Sequence, residues 1–269
     1  MKPAPQQQEK VLCDLHAHPT HKADLEEILQ QLRSPRLVGL TVKDIDKSGR
    51  DILRYEQALD LLPSGSFSEI DKGNLARCGD GYFARTQEIQ VGKHHVLALG
   101  WQGDYFSNYD TIEEAVGEIH GRKGIALLNH PFALVDNQTI RLPNSEEEQQ
   151  LIRKAYRRVD EVEVYNAHCL DVVPVLLAMG TANDFAETLR QKEFPRFKGT
   201  AGSDCHRRWE QVKTVGIYVA QDWVESGIGR LKTAICQGHF ERYGDYPQAY
   251  ISRWSWIRGV AGDFFSLLR

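Results

Sequence analysis

Five short segments of this chain carry imidazole and carboxylate groups in a recurring position. They are Asp14-Leu15-His16-Ala17-His18, Thr86-Gln87-Glu88, Asn129-His130-Pro131, Glu163-Val164-Tyr165-Asn166-Ala167-His168 and Gly202-Ser203-Asp204-Cys205-His206. Each closes a predicted strand. Because a strand repeats every two residues, His16 and His18 project to one face, and Asp204 and His206 do the same. Two imidazoles about 6–7 Å apart along a strand can share a divalent ion or serve two neighbouring ones. One His-x-His alone reads as an alternating strand with exposed histidines. Five ligand-rich strand ends point to a hydrolytic metal centre.

The elements that must position these groups alternate. Apolar runs are predicted as strands over 11–15, 37–42, 83–91, 95–101, 125–129, 162–165, 198–203 and 215–219. Amphipathic stretches predict helices over 22–32, 51–62, 112–119, 145–158, 172–191 and 223–237, and Pro63 to Gly81 reads as a loop. Ser145-Glu146-Glu147-Glu148 is a helix start signal, and the acidic first turn near Ile112 suits the positive end of a helix dipole. This is the pattern of β/α units around a mostly parallel sheet, and active sites of barrels gather at the carboxyl ends of such strands.

The 269 residues suit a single domain, and 41% apolar residues are ample for its core. A net charge of −4 advertises no general affinity for nucleic acid. Residues 1–10 are polar, with Pro3, Pro5 and consecutive glutamines, and read as a disordered tail rather than a signal peptide. No apolar run is long enough to predict a transmembrane segment. Cys13, Cys78, Cys169, Cys205 and Cys236 are odd in number and unpaired in spacing, which predicts reduced thiols and a cytoplasmic location. Cys13 and Cys205 read as small core residues.

From Val11 to His206 the segments resemble, in order, the motifs of the PHP (polymerase and histidinol phosphatase) family of metal-dependent phosphoesterases. Asp14-Leu15-His16-Ala17-His18 resembles its Asp-Leu-His-x-His, and Glu88 sits where the family places a metal-bridging glutamate. His95 in His94-His95-Val96-Leu97 resembles the histidine opening the next strand. Asn129-His130-Pro131, Glu163-Val164-Tyr165-Asn166 and Gly202-Ser203-Asp204-Cys205-His206 are similar to the remaining motifs. The resemblance implies a distorted (β/α)7 TIM-like barrel over 11–240.

It also implies ligands. One metal would be held by His16, His18, Glu88 and Asp204, and a second by the shared Glu88 with His95 and His130. His168 and His206 would belong to a third site or to the chemistry beside it, as proton donors to a leaving oxygen. His94 competes with His95, and alternation lets only one face the site. Two divalent transition-metal ions (Zn, Mn or Fe) bridged by a hydroxide would attack a phosphate ester. Asp14 is expected to orient a ligand imidazole. Arg208, beside Arg207, is a candidate phosphate clamp, with a solvated loop as the alternative.

The chain departs from the family at Thr41-Val42-Lys43-Asp44, where family members carry Thr-Asp-His. Either Lys43 replaces a missing cation and binds a substrate phosphate, or it points to solvent, or a shifted register makes Asp44 a ligand. The departure favours two metals over three. The expected substrate is a small phosphorylated molecule or nucleotide rather than nucleic acid. A regulatory module with an eroded site and a hydrolase of a non-phosphate bond are the alternatives. Residues 241–269, with Trp254, Trp256, Phe264 and Phe265, are expected to pack on the barrel or form a homo-oligomer contact.

Overall fold

The computed structural model describes residues 9–32, 36–43, 53–136, 139–171, 179–206 and 209–244. β1 (Lys10–Ala17) is buried along nearly its whole length, as a strand covered on both faces must be. It leads through α1 (Lys22–Gln31) to the parallel β2 (Arg36–Val42). α2 (Tyr55–Asp60) precedes a hairpin of β3 (Phe67–Asp71) and β4 (Leu75–Cys78). That hairpin occupies the stretch expected to be a loop; its strands are short and its β3 is only half-buried, so periodicity is weak there. β5 (Gly81–Val91) lies parallel to β2 and turns at Gly92 (φ 56°) into the antiparallel β6 (His94–Leu99).

α3 (Ile112–Gly121) is capped by the Thr111 hydroxyl, which accepts from Glu114 N, and leads to β7 (Ile125–Asn129), antiparallel to β6. A small hairpin of β8 (Leu134–Asp136) and β9 (Thr139–Arg141) follows. α4 (Glu146–Tyr156) starts at Ser145, whose hydroxyl accepts from Glu148 N, as the start signal predicts. β10 (Glu161–Asn166) is parallel to β7; α5 (His168–Asp171) and α6 (Met179–Glu193) lead to β11 (Thr200–Gly202), parallel to β10. After a 3₁₀ turn at Trp209–Lys213, β12 (Gly216–Ala220) adds antiparallel to the outer edge of β1. The single helix expected over 223–237 is two, α7 (Gln221–Glu225) and α8 (Ile228–Cys236), broken at Gly227 with φ 99°. β13 (Glu241–Tyr243) pairs with β12.

The main sheet runs β11-β10-β7-β6-β5-β2-β1-β12-β13. The segment after β11 returns to β1: Asp204 N donates to His16 O (2.7 Å) and His18 N to Cys205 O (2.8 Å). The sheet is therefore a nearly closed barrel in a mixed α/β fold. The β/α rhythm breaks at β5–β6, which are joined by a tight turn, and β6 is antiparallel to both neighbours. Reversing β6 brings its first residues to the end where β5 and β7 finish.

At the opposite end α8 packs Ile228, Leu231 and Ile235 with Leu99, Ile125 and Val11. Burying each such side chain contributes about 1.5–3 kcal/mol. α1 and Trp209 cover Val38, Leu40 and Phe83, while α3, α4 and α6 cover Val96, Leu128 and Val164. The expected tail at 1–10 (save Glu9 and Lys10) and all but the first residues of the 241–269 extension lie outside the described residues. No helix among the described residues is long and apolar enough to cross a membrane.

Candidate metal centre

β1 brings His16 and, just beyond its end, His18; β7 hands over directly to His130, and β11 through Ser203 to Asp204. Glu88 sits inside β5, short of its expected place at a strand end, and reaches the same mouth because β5 is long. His95 arrives from the start of the reversed β6.

These side chains are all buried and converge. His16 Nε2 is 3.3 Å from Glu88 Oε1 and 3.5 Å from Asp204 Oδ1. His95 Nδ1 is 2.8 Å and His130 Nε2 3.2 Å from Glu88 Oε1, and the two rings' nitrogens are 3.3 Å apart. His18 Nε2 is 3.2 Å from Asp204 Oδ1. Ligand atoms of His16, His18 and Asp204 lie within 4.8 Å of one another, as do those of His16, Glu88 and His130.

A further layer of contacts aims the rings. His16 Nδ1 faces Glu163 Oε1 (3.1 Å), His18 Nδ1 faces Thr41 O (3.1 Å) and His130 Nδ1 faces Ala133 O (3.3 Å). These acceptors assign the ring protons to Nδ1 and turn each Nε2 inward, which is how ligand imidazoles are oriented. Glu163 Oε2 also accepts from His130 N (3.1 Å) and Asn166 Nδ2 (2.9 Å). Asn129 Nδ2 lies 3.3 Å from His16 Nε2. Asp14 does not orient an imidazole. Its Oδ1 instead accepts from His16 N (3.2 Å) and Ser203 N (3.1 Å), tying β1 to the end of β11.

Electrostatics separate the rings. Burial opposes charge on His16 and His130. For His16 the carboxylates Asp204 and Glu163 outweigh it, and for His130 the Glu88 hydrogen bond with Asp204 does, so both are pushed up. Burial and neighbouring His206 instead push His18 down to about 3. Burial works against the Glu88 carboxylate too, but His95, Lys43 and the hydrogen bonds of His130 and His16 hold it well below the carboxylate range. A neutral His18 whose proton is on Nδ1 presents a lone pair to Asp204 Oδ1. Both atoms are buried and lack a well-formed hydrogen bond. Two lone pairs 3.2 Å apart repel unless a cation lies between them. Nitrogen and carboxylate donors of this kind fit a divalent transition metal.

Two of the converging residues adopt left-handed backbone, His130 at φ 27° and Asp204 at φ 50°. Each such conformation costs about 1–3 kcal/mol and is typical of ligand clamps. Gly202 permits the close packing behind His16: a Cβ there would stand 2.3 Å from Glu163 Oε1 and 2.9 Å from His16 Cβ.

The remaining expected residues fall into three groups. Lys43 Nζ is 2.7 Å from Glu88 Oε2, so the lysine points into the site. His206 Nε2 is 3.3 Å from Asp204 Oδ1, its ring stacks on His18 at 4.5 Å, and its side chain is 40% exposed at the mouth. His168 opens α5 with its ring 5.5 Å from that of His206. His94 faces away from Glu88, into a separate cavity of about 340 Å3 with Val91, Leu134 and Ala155. Arg208, Arg207 and Asp44 lie outside the described residues. Cys205 packs with Val38 and Leu40, and burial, with Asp14 beside it, pushes the Cys13 thiol up. The residues that sequence reasoning did not assign to the site are Asn129 and the positioning groups Glu163, Thr41 and Gly202. Asn129, Glu163 and Gly202 stood in the ligand-type segments; Thr41 did not.

No protein-family model and no curated protein matches the chain. Among solved structures, it is similar to a two-domain protein from Bacteroides vulgatus containing a predicted PHP-like metal-dependent phosphoesterase, with TM-score 0.51 and 16% identity over 90% of this chain and 67% of that one. The lesion-specific endonuclease PfuEndoQ from Pyrococcus furiosus gives TM-score 0.49 and 13% identity over 87% of this chain and 58% of that one. PsfC from Pseudomonas syringae gives 0.45 and 14% over 86% and 99%. The likeness to the Bacteroides protein, at its low identity, is one of fold.

Proposed function

We propose that this chain is a metal-dependent hydrolase of phosphate esters, acting on a small phosphorylated metabolite or nucleotide. The observation that carries the reading is the buried approach of His18 Nε2 to Asp204 Oδ1 at 3.2 Å, ringed by further inward-facing imidazoles. His16, His18 and Asp204 would hold one divalent ion, and Glu88, His95 and His130 the other, with Zn, Mn or Fe suited to the donor set. When bound, such ions supply Lewis acidity at phosphoryl oxygens and lower the pKa of water.

The chain's own residues do the rest. Glu163, Thr41 and the Ala133 carbonyl keep three rings in one tautomer, so no reorganisation is needed at the moment of reaction. His206, exposed at the mouth, with His168 beside it, would give a proton to the leaving oxygen. Lys43 and Arg208 supply positive charge for the non-bridging oxygens. The net charge of −4 favours a small phosphate over a polyanion.

The test is hydrolysis of p-nitrophenyl phosphate and its bis-ester, with elemental analysis, before and after chelation. Turnover lost to chelator and restored by Mn or Zn is expected. A metal-loaded protein that cleaves neither ester would overturn the reading.

A further inference from the structure

Glu88 divides its two carboxylate oxygens between different kinds of partner. Oε1 faces three imidazole nitrogens, those of His95 (2.8 Å), His130 (3.2 Å) and His16 (3.3 Å). Oε2 faces the Lys43 ammonium at 2.7 Å and stands 3.6 Å from His18 Nε2. The lysine is firmly placed. It directly follows β2, where the Thr41 hydroxyl meets Thr86 Oγ1 at 2.9 Å and the Thr41 carbonyl meets His18 Nδ1 at 3.1 Å. The backbone carrying Lys43 is thus pinned to both strands that bring Glu88 and His18.

A carboxylate that bridges two metal ions gives one oxygen to each. Here the second oxygen already meets a fixed positive charge, and the neighbouring Val42 offers no ligand atom. Resting on the metal-centre reading above, we propose that Lys43 stands in for a metal cation at Glu88 Oε2. The centre then binds one divalent ion tightly and a second weakly, and the lysine supplies the missing positive charge. The Lys43 side chain is 29% exposed. Unlike a divalent ion, it cannot acidify water. Its contribution is charge and orientation.

Ion binding tests this without any ester. Metal-free full-length protein is titrated with Zn2+ and with Mn2+ against a chelating dye, for wild type, Lys43→Met and Lys43→Arg. Wild type is expected to bind one ion at least tenfold more tightly than the next. Lys43→Met should tighten the weaker ion at least tenfold, and Lys43→Arg should behave as wild type. Two equally tight ions in wild type would overturn the inference even if Lys43→Met failed to fold. So would Lys43→Met that melts like wild type when metal-free yet binds metal no better. A difference in ion affinity without ester turnover would sink the phosphoesterase reading and leave this one standing. Chelator-sensitive turnover with equal affinities in wild type and Lys43→Met would do the reverse.

Discussion

Glu163 Oε1 meets His16 Nδ1 at 3.1 Å while its Oε2 accepts the His130 backbone N–H at 3.1 Å, so one buried carboxylate holds the ring of His16 and the backbone of His130. Glu163→Gln keeps the shape but can place an N–H against His16, inverting its tautomer. Metal affinity should fall by about 10–100-fold. Competition against a chelating dye measures it, and unchanged affinity would show that Glu163 only packs.

Removing the metal should lower stability as well as activity. An ion bound at 100 times its Kd adds about 2.7 kcal/mol to the folded state, which at this size is about 5–10 °C in Tm. Thermal melts with and without chelator check this. Coincident melts would mean that the buried cluster carries no resident ion.

Gly202→Ala would drive a methyl group into Glu163 Oε1 and His16 Cβ. The overpacking should cost about 1–3 kcal/mol and weaken metal binding together. Gly117→Ala, on the exposed face of α3 with nothing within 4 Å of the new Cβ, is the control and should stabilise by up to about 1 kcal/mol. Urea denaturation of both variants decides the matter.

Acid should weaken the tie between α6 and β13. Burial alone would raise Glu187, but hydrogen bonds from Arg190 (2.6 Å), Arg242 (2.8 Å) and Gln191 (2.7 Å) hold its carboxyl at about 2. A folded-state value below the unfolded one stabilises fully above the ordinary carboxylate range and is lost as pH falls toward 2. Screening at this half-exposed site leaves about 1 kcal/mol at pH 7. Glu187→Gln should therefore be less stable than wild type by that amount at pH 7 and equal to it near pH 2. A difference that persists in acid would assign the effect to packing.

The barrel was legible because its strands are buried on both faces and appear as short apolar runs. The approach of His16, His18, His130 and Asp204 was legible from period-two spacing and strand-end placement, whereas Glu88 and His95 were expected there from the family resemblance. What escaped was non-local. Glu163 stands 147 residues from the ring it aims, and no local pattern reports that distance. The β3–β4 hairpin hid in a polar stretch, and the reversal of β6 depends on pairing rather than composition. Asp14 was given an imidazole to hold because its role with Ser203 N, 189 residues away, has no signature in the segment itself.

The seam between β1 and the end of β11 has a consequence for the protein's birth. His16 O receives the N–H of Asp204, and Ser203 Oγ reaches the same carbonyl across 187 residues of chain. On a ribosome moving at about 5–20 residues per second, His16 and His18 emerge roughly 10–40 s before their carboxylate partner. Throughout that interval the nascent chain displays the histidine pair without Asp204 to share an ion. An ion shared by His16, His18 and Asp204 would therefore be captured only after β11, whose end carries Asp204, has been made.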